Sequence, residues 1–172
     1  DIIKKSKMAL VDWLKHYEED GFGFKESTLQ GRKDMRKKVE EYLESKGLSH
    51  MAMSEVDADF CRGFLQFLLT AKNSVCTKQK DRTITNGCAL HHQAVLNGAL
   101  NKAVREGIIQ VNPLKRLDRR EKFHPAPEER EYLTIEELKI LMDIPCANDQ
   151  VKNAFIFACF TGLRLSDIRS LS

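Results

Sequence analysis

Apolar residues recur along the chain at helical spacing, and six such stretches organise it. Residues 2–20 read as an amphipathic helix with Leu10, Leu14 and Tyr17 on one face and Val11 and Trp13 widening it. Gly21-Phe22-Gly23-Phe24 breaks the pattern, and Ser27-x-x-Gln30 has the spacing of a capping box opening a second helix to about Lys46. Its stripe is Met35, Val39, Tyr42 and Leu43, its opposite face carries Arg32, Lys33, Arg36 and Lys37, and Gly47 supplies the stop. Ser54-x-x-Asp57 starts a third helix with Phe60, Phe64, Phe67 and Leu68 on one side. A polar connection from Asn73 to Asp81 leads to Thr83, which begins a long helix to about Glu106 with Leu96, Leu100, Ala103 and Val104 facing inward. Four helices of this size with polar connections predict one compact bundle, closed by Asn112-Pro113.

The pattern then changes. Lys115 to Pro127 holds Lys115, Arg116, Arg119, Arg120 and Lys122 with two prolines, which predicts an extended basic linker over 114–130. Thr134-x-x-Glu137 is another capping box, opening a helix through Ile135, Leu138, Leu141 and Met142 that Pro145 stops. Val151 to Phe160 is apolar on nearly every side and predicts a buried helix, ending at Thr161-Gly162-Leu163-Arg164-Leu165-Ser166-Asp167. The expected architecture is all-α: a helical domain over 1–113, the linker, and the beginning of a second, mainly α domain over 131–172.

Composition narrows the class. With 172 residues, 42% of them hydrophobic, the chain can bury a core. No apolar run approaches the roughly 20 residues that span a bilayer, and the start lacks the cationic-then-apolar order of a signal peptide. The first residue is Asp rather than Met, which suggests a piece of a longer protein. Five scattered cysteines without a Cys-x-x-Cys pair, and adjacent His91-His92, fit reduced thiols in a cytoplasmic protein rather than disulfides or zinc.

Charge is what points to a partner. The net charge of +3 is uneven: 12 Lys and Arg face 6 Asp and Glu between Lys72 and Arg130, against 4 and 6 from Glu131 to Ser172. A basic middle suits a polyanion, although a solvated surface has the same composition. The candidate residues to face a nucleic acid are Lys33, Arg36 and Lys37, then Lys78, Lys80, Arg82 and Thr83, and in the linker Arg116, Arg119, Arg120 and Lys122. Such contacts position a protein without reading sequence; base reading would fall to side chains such as Asn86, His91 or Gln93. His124 reads as merely exposed. Arg164 is a candidate phosphate ligand because guanidinium keeps its charge and presents a planar donor fork. Asp167 is a candidate orienter of Arg164 or helix-start residue, with a direct Arg164–Asp167 salt bridge as the rival role for the arginine, and Ser166 is a candidate N-cap.

Three motifs in this order resemble the tyrosine recombinase (phage-type integrase) family, and the likeness covers essentially the whole chain. Thr83-Ile84 opening a long helix that ends at Gly107-Ile108 before Asn112-Pro113 is similar to the end of the family's SAM-like core-binding domain. Tyr132-Leu133-Thr134-x-x-Glu137-Leu138 looks like the first helix of its catalytic domain, and Phe160 to Asp167 matches the box of its first catalytic arginine.

The resemblance implies a parent enzyme, of a bacterial mobile element, that cuts and rejoins DNA without metal or other cofactor. A tyrosine hydroxyl attacks the scissile phosphate and forms a 3′-phosphotyrosyl bond; two arginines and a histidine neutralise the phosphorane, and a lysine protonates the leaving oxygen. Of that set only Arg164 is matched, with Asp167 at the position of a supporting acidic residue. Tyr17, Tyr42 and Tyr132 all precede Arg164, so this piece is expected to bind duplex DNA without cleaving it. The expected setting is the bacterial cytoplasm, on the nucleoid, with tetramers forming on DNA in the intact parent and a monomer here. The alternatives are a non-catalytic helical interaction module and a naturally truncated integrase that only binds its sites.

Overall fold

The computed structural model describes residues 7–20, 23–72, 82–126 and 131–171. It is all-helical: among the described residues there are seven α-helices, three short 3-10 turns and no β-strand. The chain divides into two compact units, residues 1–126 and 127–172.

In the first unit, α1 (Leu10–Glu19) buries Leu10, Trp13 and Leu14. Helix α2 (Glu26–Lys46) buries Met35, Val39, Tyr42 and Leu43, the stripe expected from its spacing. It begins earlier than the capping-box reading placed it. Lys25 is the N-cap and makes no side-chain cap bond, Ser27 is already inside the helix, and Gln30 Nε2 donates to Asp34 Oδ1 at 2.8 Å. The end of α1 is closed instead by a side chain of α2: Arg32 donates to the carbonyls of Tyr17 at 2.6 Å and Asp20 at 3.0 Å, and its guanidinium lies 4.1 Å from the Tyr17 ring centre and 4.4 Å from that of Phe24. Gly47 adopts φ 68° at the end of α2, a backbone state that glycine reaches without steric cost.

Helix α3 (Ala58–Thr70) starts at Asp57, whose carboxylate accepts from Phe60 N–H at 2.8 Å. Ser54 does not start it; Met53–Glu55 forms a separate 3-10 turn. The rings of Phe60, Phe64 and Phe67 surround that of Tyr42 at 5.5–5.8 Å. Helix α4 (Asn86–Arg105) is capped by Thr85, because Thr83 is drawn into a bridge with Lys72. Its inner face is Ala89, His92, Leu96, Ala99, Leu100 and Ala103; Val104, expected inside, is half-buried. Trp13 Nε1 donates to Ala99 O at 3.2 Å, tying α1 to α4 through the middle of the core.

His92 is a polar residue within that core, 4% exposed, and its Nδ1 has no hydrogen-bond partner among the described residues. Its Nε2 lies 3.5 Å from Cys88 Sγ, and Lys38, His91 and Asp34 also act on it. Burial, helped by the positive neighbours, lowers its pKa from 6.5 to about 4. The unfolded chain therefore takes up this proton first as pH falls, so the neutral imidazole's stability is present above pH 6.5 and is lost between 6.5 and 4. That loss is expected to be roughly 3 kcal/mol. Urea midpoints at pH 7 and pH 4.5 should show a larger drop for the natural chain than for His92→Gln; equal drops would rule the effect out.

The expected linker is not extended. Residues 113–123 fold back on the bundle as two 3-10 turns, Pro113–Arg116 and Arg119–Glu121, with Leu114 and Leu117 buried in the core. The bundle thus runs past the expected boundary at residue 113. The two leucines are the physical reason: a chain with apolar residues three apart on one side packs on a nearby core rather than remaining solvated. Buried Asn112 anchors the start, donating to Asn97 Oδ1 at 2.8 Å and Asn101 Oδ1 at 2.9 Å while accepting from Leu114 N–H at 2.9 Å.

The second unit contains α5 (Ile135–Asp143), α6 (Asp149–Thr161) and α7 (Leu165–Arg169). Helix α5 has the expected capping box, Thr134 Oγ1 accepting from Glu137 N–H and Glu137 accepting from Thr134 N–H. The expectation that α6 is buried is corrected: Val151 is 63% and Phe160 is 70% exposed, and Leu138 is the unit's one buried residue among those described. Three short helices have too little surface to enclose an all-round apolar helix.

Candidate nucleic-acid interface

On α2 the expected basic face divides. Met35 and Val39 set the inward direction, and Lys33 and Lys37 fall opposite them, both exposed. Arg36 lies to one side, part-buried, where its Nε donates to Glu18 at 2.8 Å and its Nη1 to Glu40 at 2.7 Å. Burial disfavours the charged guanidinium, yet the two carboxylates outweigh it and raise the pKa. Arg36 therefore staples α1 to α2, whereas Lys33 and Lys37 meet no acidic partner among the described residues.

Lys78 and Lys80 lie outside the described residues. Arg82 and Thr83, which follow them, are exposed at the approach to α4. Of the candidate base readers, His91 is exposed and packs over Gly31, where an added Cβ would stand 2.6 Å from its Nε2. The other two are turned to the protein's own backbone. Gln93 accepts from Phe123 N–H at 2.8 Å and donates to Phe123 O at 3.2 Å, and Asn86 donates to His124 O at 3.0 Å. No feature of the linear sequence marks these partners, which are 30 and 38 positions away.

These bonds hold down the end of the folded-back segment, where the remaining candidates sit. Arg116, Arg119 and Arg120 are exposed. Lys122 is half-buried, and its ammonium donates to Leu117 O at 2.6 Å. His124 is exposed as expected, with its Nε2 2.6 Å from Arg119 O. Arg62 of α3 pairs with Glu121, holding that carboxyl below its usual range. Of the segment's two acidic residues, Glu121 is thus partly neutralised from within, while Asp118 is exposed. Facing water, Lys115, Arg116, Arg119 and Arg120 outnumber Asp118.

In the second unit, Gly162 takes φ 68° and ends α6, and Arg164 follows as the N-cap of the short α7. Ser166 is therefore not the cap. Asp167 Oδ2 accepts from the Arg164 backbone N–H at 3.3 Å, and its Oδ1 accepts from Ser166 Oγ at 3.2 Å. Asp167 holds the turn rather than the guanidinium, and the alternative Arg164–Asp167 salt bridge is not formed. The Arg164 side chain is exposed, and its guanidinium has no acidic partner among the described residues.

The described residues contain no group of three or more His, Cys, Asp or Glu able to hold a metal ion, and no helix long and apolar enough to cross a membrane. Cys61 is buried, which pushes its thiol up to about 12 and leaves it unreactive at neutral pH. The site consists of cations on a helical scaffold, which suits binding a polyanion backbone through charge.

A family profile described as Phage integrase SAM-like domain matches residues 9–123, from the start of α1 to the end of the folded-back segment. Comparison with curated proteins finds no match, and comparison with solved structures finds none. The match spans most of the chain and both surfaces where exposed cations gather, and it ends at the residue that Gln93 holds. The chain belongs to the phage integrase SAM-like domain family.

Proposed function

We propose that the chain is the DNA-binding part of a site-specific tyrosine recombinase, and that its bundle holds duplex DNA by the phosphate backbone. The observation that carries this reading is the family match over 9–123, the same residues that present Lys33 and Lys37 on α2 and Arg116, Arg119 and Arg120 beyond α4. Arg82 and Thr83 extend the surface at the start of α4. Residues 131–171 are read as the beginning of the catalytic domain, with Arg164 as a phosphate ligand and Asp167 setting its position.

The parent would cut and rejoin strands of a mobile element through a 3′-phosphotyrosyl intermediate, as a tetramer on DNA in the bacterial cytoplasm. By itself this stretch has no tyrosine after Arg164. A second reading, a helical interaction module, is favoured by one observation: Phe155, Phe157 and Phe160 of α6 are exposed.

Titration of a labelled duplex with the chain separates the readings. Association that is measurable at low salt, weakens steeply as salt is raised and differs little between unrelated sequences supports the DNA reading. Absence of binding at low salt rejects it in favour of the interaction module.

A further inference from the structure

Three arginines of the segment after α4 stand at exposed positions on a piece of chain with little secondary structure, yet its backbone is held at several points. Leu114 and Leu117 plug it into the core, and Glu121 pairs with Arg62. Beyond those plugs the hold comes from α4. Gln93 meets both the N–H and the carbonyl of Phe123, as a neighbouring strand would, and Asn86 takes the carbonyl of His124. Both side chains are uncharged, and both make their amide hydrogen bonds to the protein's own backbone.

We propose that Gln93, assisted by Asn86, is a positioning residue for DNA binding: by clamping the backbone at Phe123 and His124 it keeps residues 113–124 folded on the bundle and presents Arg116, Arg119 and Arg120 as a preformed phosphate-binding edge. This rests on the DNA reading above. An unclamped segment would have to be ordered at the moment of binding, which weakens association without removing a charge. A second consequence is geometric. Cations that fail to reach phosphates release no counterions, and each lost contact removes about 0.9 from the slope of log affinity against log salt.

The clamp and the charges can therefore be separated experimentally, because Gln93→Leu alters no charge. The full chain and its Gln93→Leu variant are titrated with the same duplex across a salt series, and hydrogen exchange at the Phe123 amide is followed in both. Asn86→Ala, at an exposed site, is the second variant should Gln93→Leu not fold, as judged by circular dichroism.

The expected result is affinity about tenfold weaker at low salt, a slope shallower by about 0.9 or more, and Phe123 exchange at least tenfold faster, with helix content held. Faster exchange with an unchanged slope would show that the arginines do not reach phosphates, and unchanged exchange would show that Gln93 is not the clamp. Either overturns the proposal while leaving the DNA reading intact. Failure of the unsubstituted chain to bind the duplex overturns both.

Discussion

Trp13→Ala is expected to cost the first unit about 3–5 kcal/mol, the range for emptying a buried tryptophan site. Trp13 is wholly buried on α1 and reaches the backbone of α4, where its Nε1 hydrogen-bonds Ala99 O at 3.2 Å. Its loss removes apolar contact on one side and a hydrogen bond between the two helices on the other. Domains of this size are stable by about 5–15 kcal/mol, so the change takes a large share of the total. Thermal unfolding followed by circular dichroism should move down by about 10–20 °C. Trp13→Phe keeps most of the ring and loses the N–H, so it should fall between. A loss below about 1 kcal/mol for the alanine variant would mean that α1 is not packed as described.

The other large effect belongs to Arg164. In a protein that joins residues 131–171 to the rest of a recombinase active site, Arg164→Ala is expected to slow covalent protein–DNA adduct formation by on the order of a hundredfold or more. That is the magnitude for removing one preorganised donor from a developing anion. Arg164→Lys should recover little, since an ammonium cannot reproduce the two-pronged contact of guanidinium. Asp167→Asn should have a smaller effect, because Asp167 touches the backbone of the turn and not the guanidinium. Adduct on a denaturing gel is the readout. A loss of less than tenfold for Arg164→Ala would refute its assignment as a phosphate ligand.

Much of the bundle was legible from periodicity. The stripes Met35–Val39–Tyr42 and Phe60–Phe64–Leu68 are the faces that meet in the core. Helix starts were less so. Ser27, Ser54 and Thr83 carry side chains suited to capping, yet the observed caps are Lys25, Asp57 and Thr85. Cap chemistry identifies residues able to start a helix, and the packing of its first turn decides among neighbours.

The segment from 113 to 123 departs from its sequence pattern for a different reason. Its basic residues dominate the composition, while the features that fold it are two leucines and amides supplied from α4. Long-range partners of this kind leave no local trace. Helix α6 erred in the opposite sense. Its apolar run says what the helix would bury, and nothing in the run says which surface covers it.

The interface shows the same mixture. Lys33 and Lys37 follow from the helical register of α2, since they stand opposite its buried stripe. Arg36 has the same residue type and a neighbouring position, but Glu18 lies within 2.8 Å of it across from α1. Charge in the sequence counts the cations. Only the fold shows which are already paired.

The most direct measurement of the central claim is the affinity of the unsubstituted chain for a duplex of arbitrary sequence, determined over a series of salt concentrations. If the cations of α2 and of the folded-back segment engage the backbone, log affinity falls linearly with log salt, steeper by about 0.9 for each phosphate neutralised, and Lys33→Glu with Lys37→Glu makes the fall shallower. No association at low salt, or an affinity indifferent to salt, would contradict it.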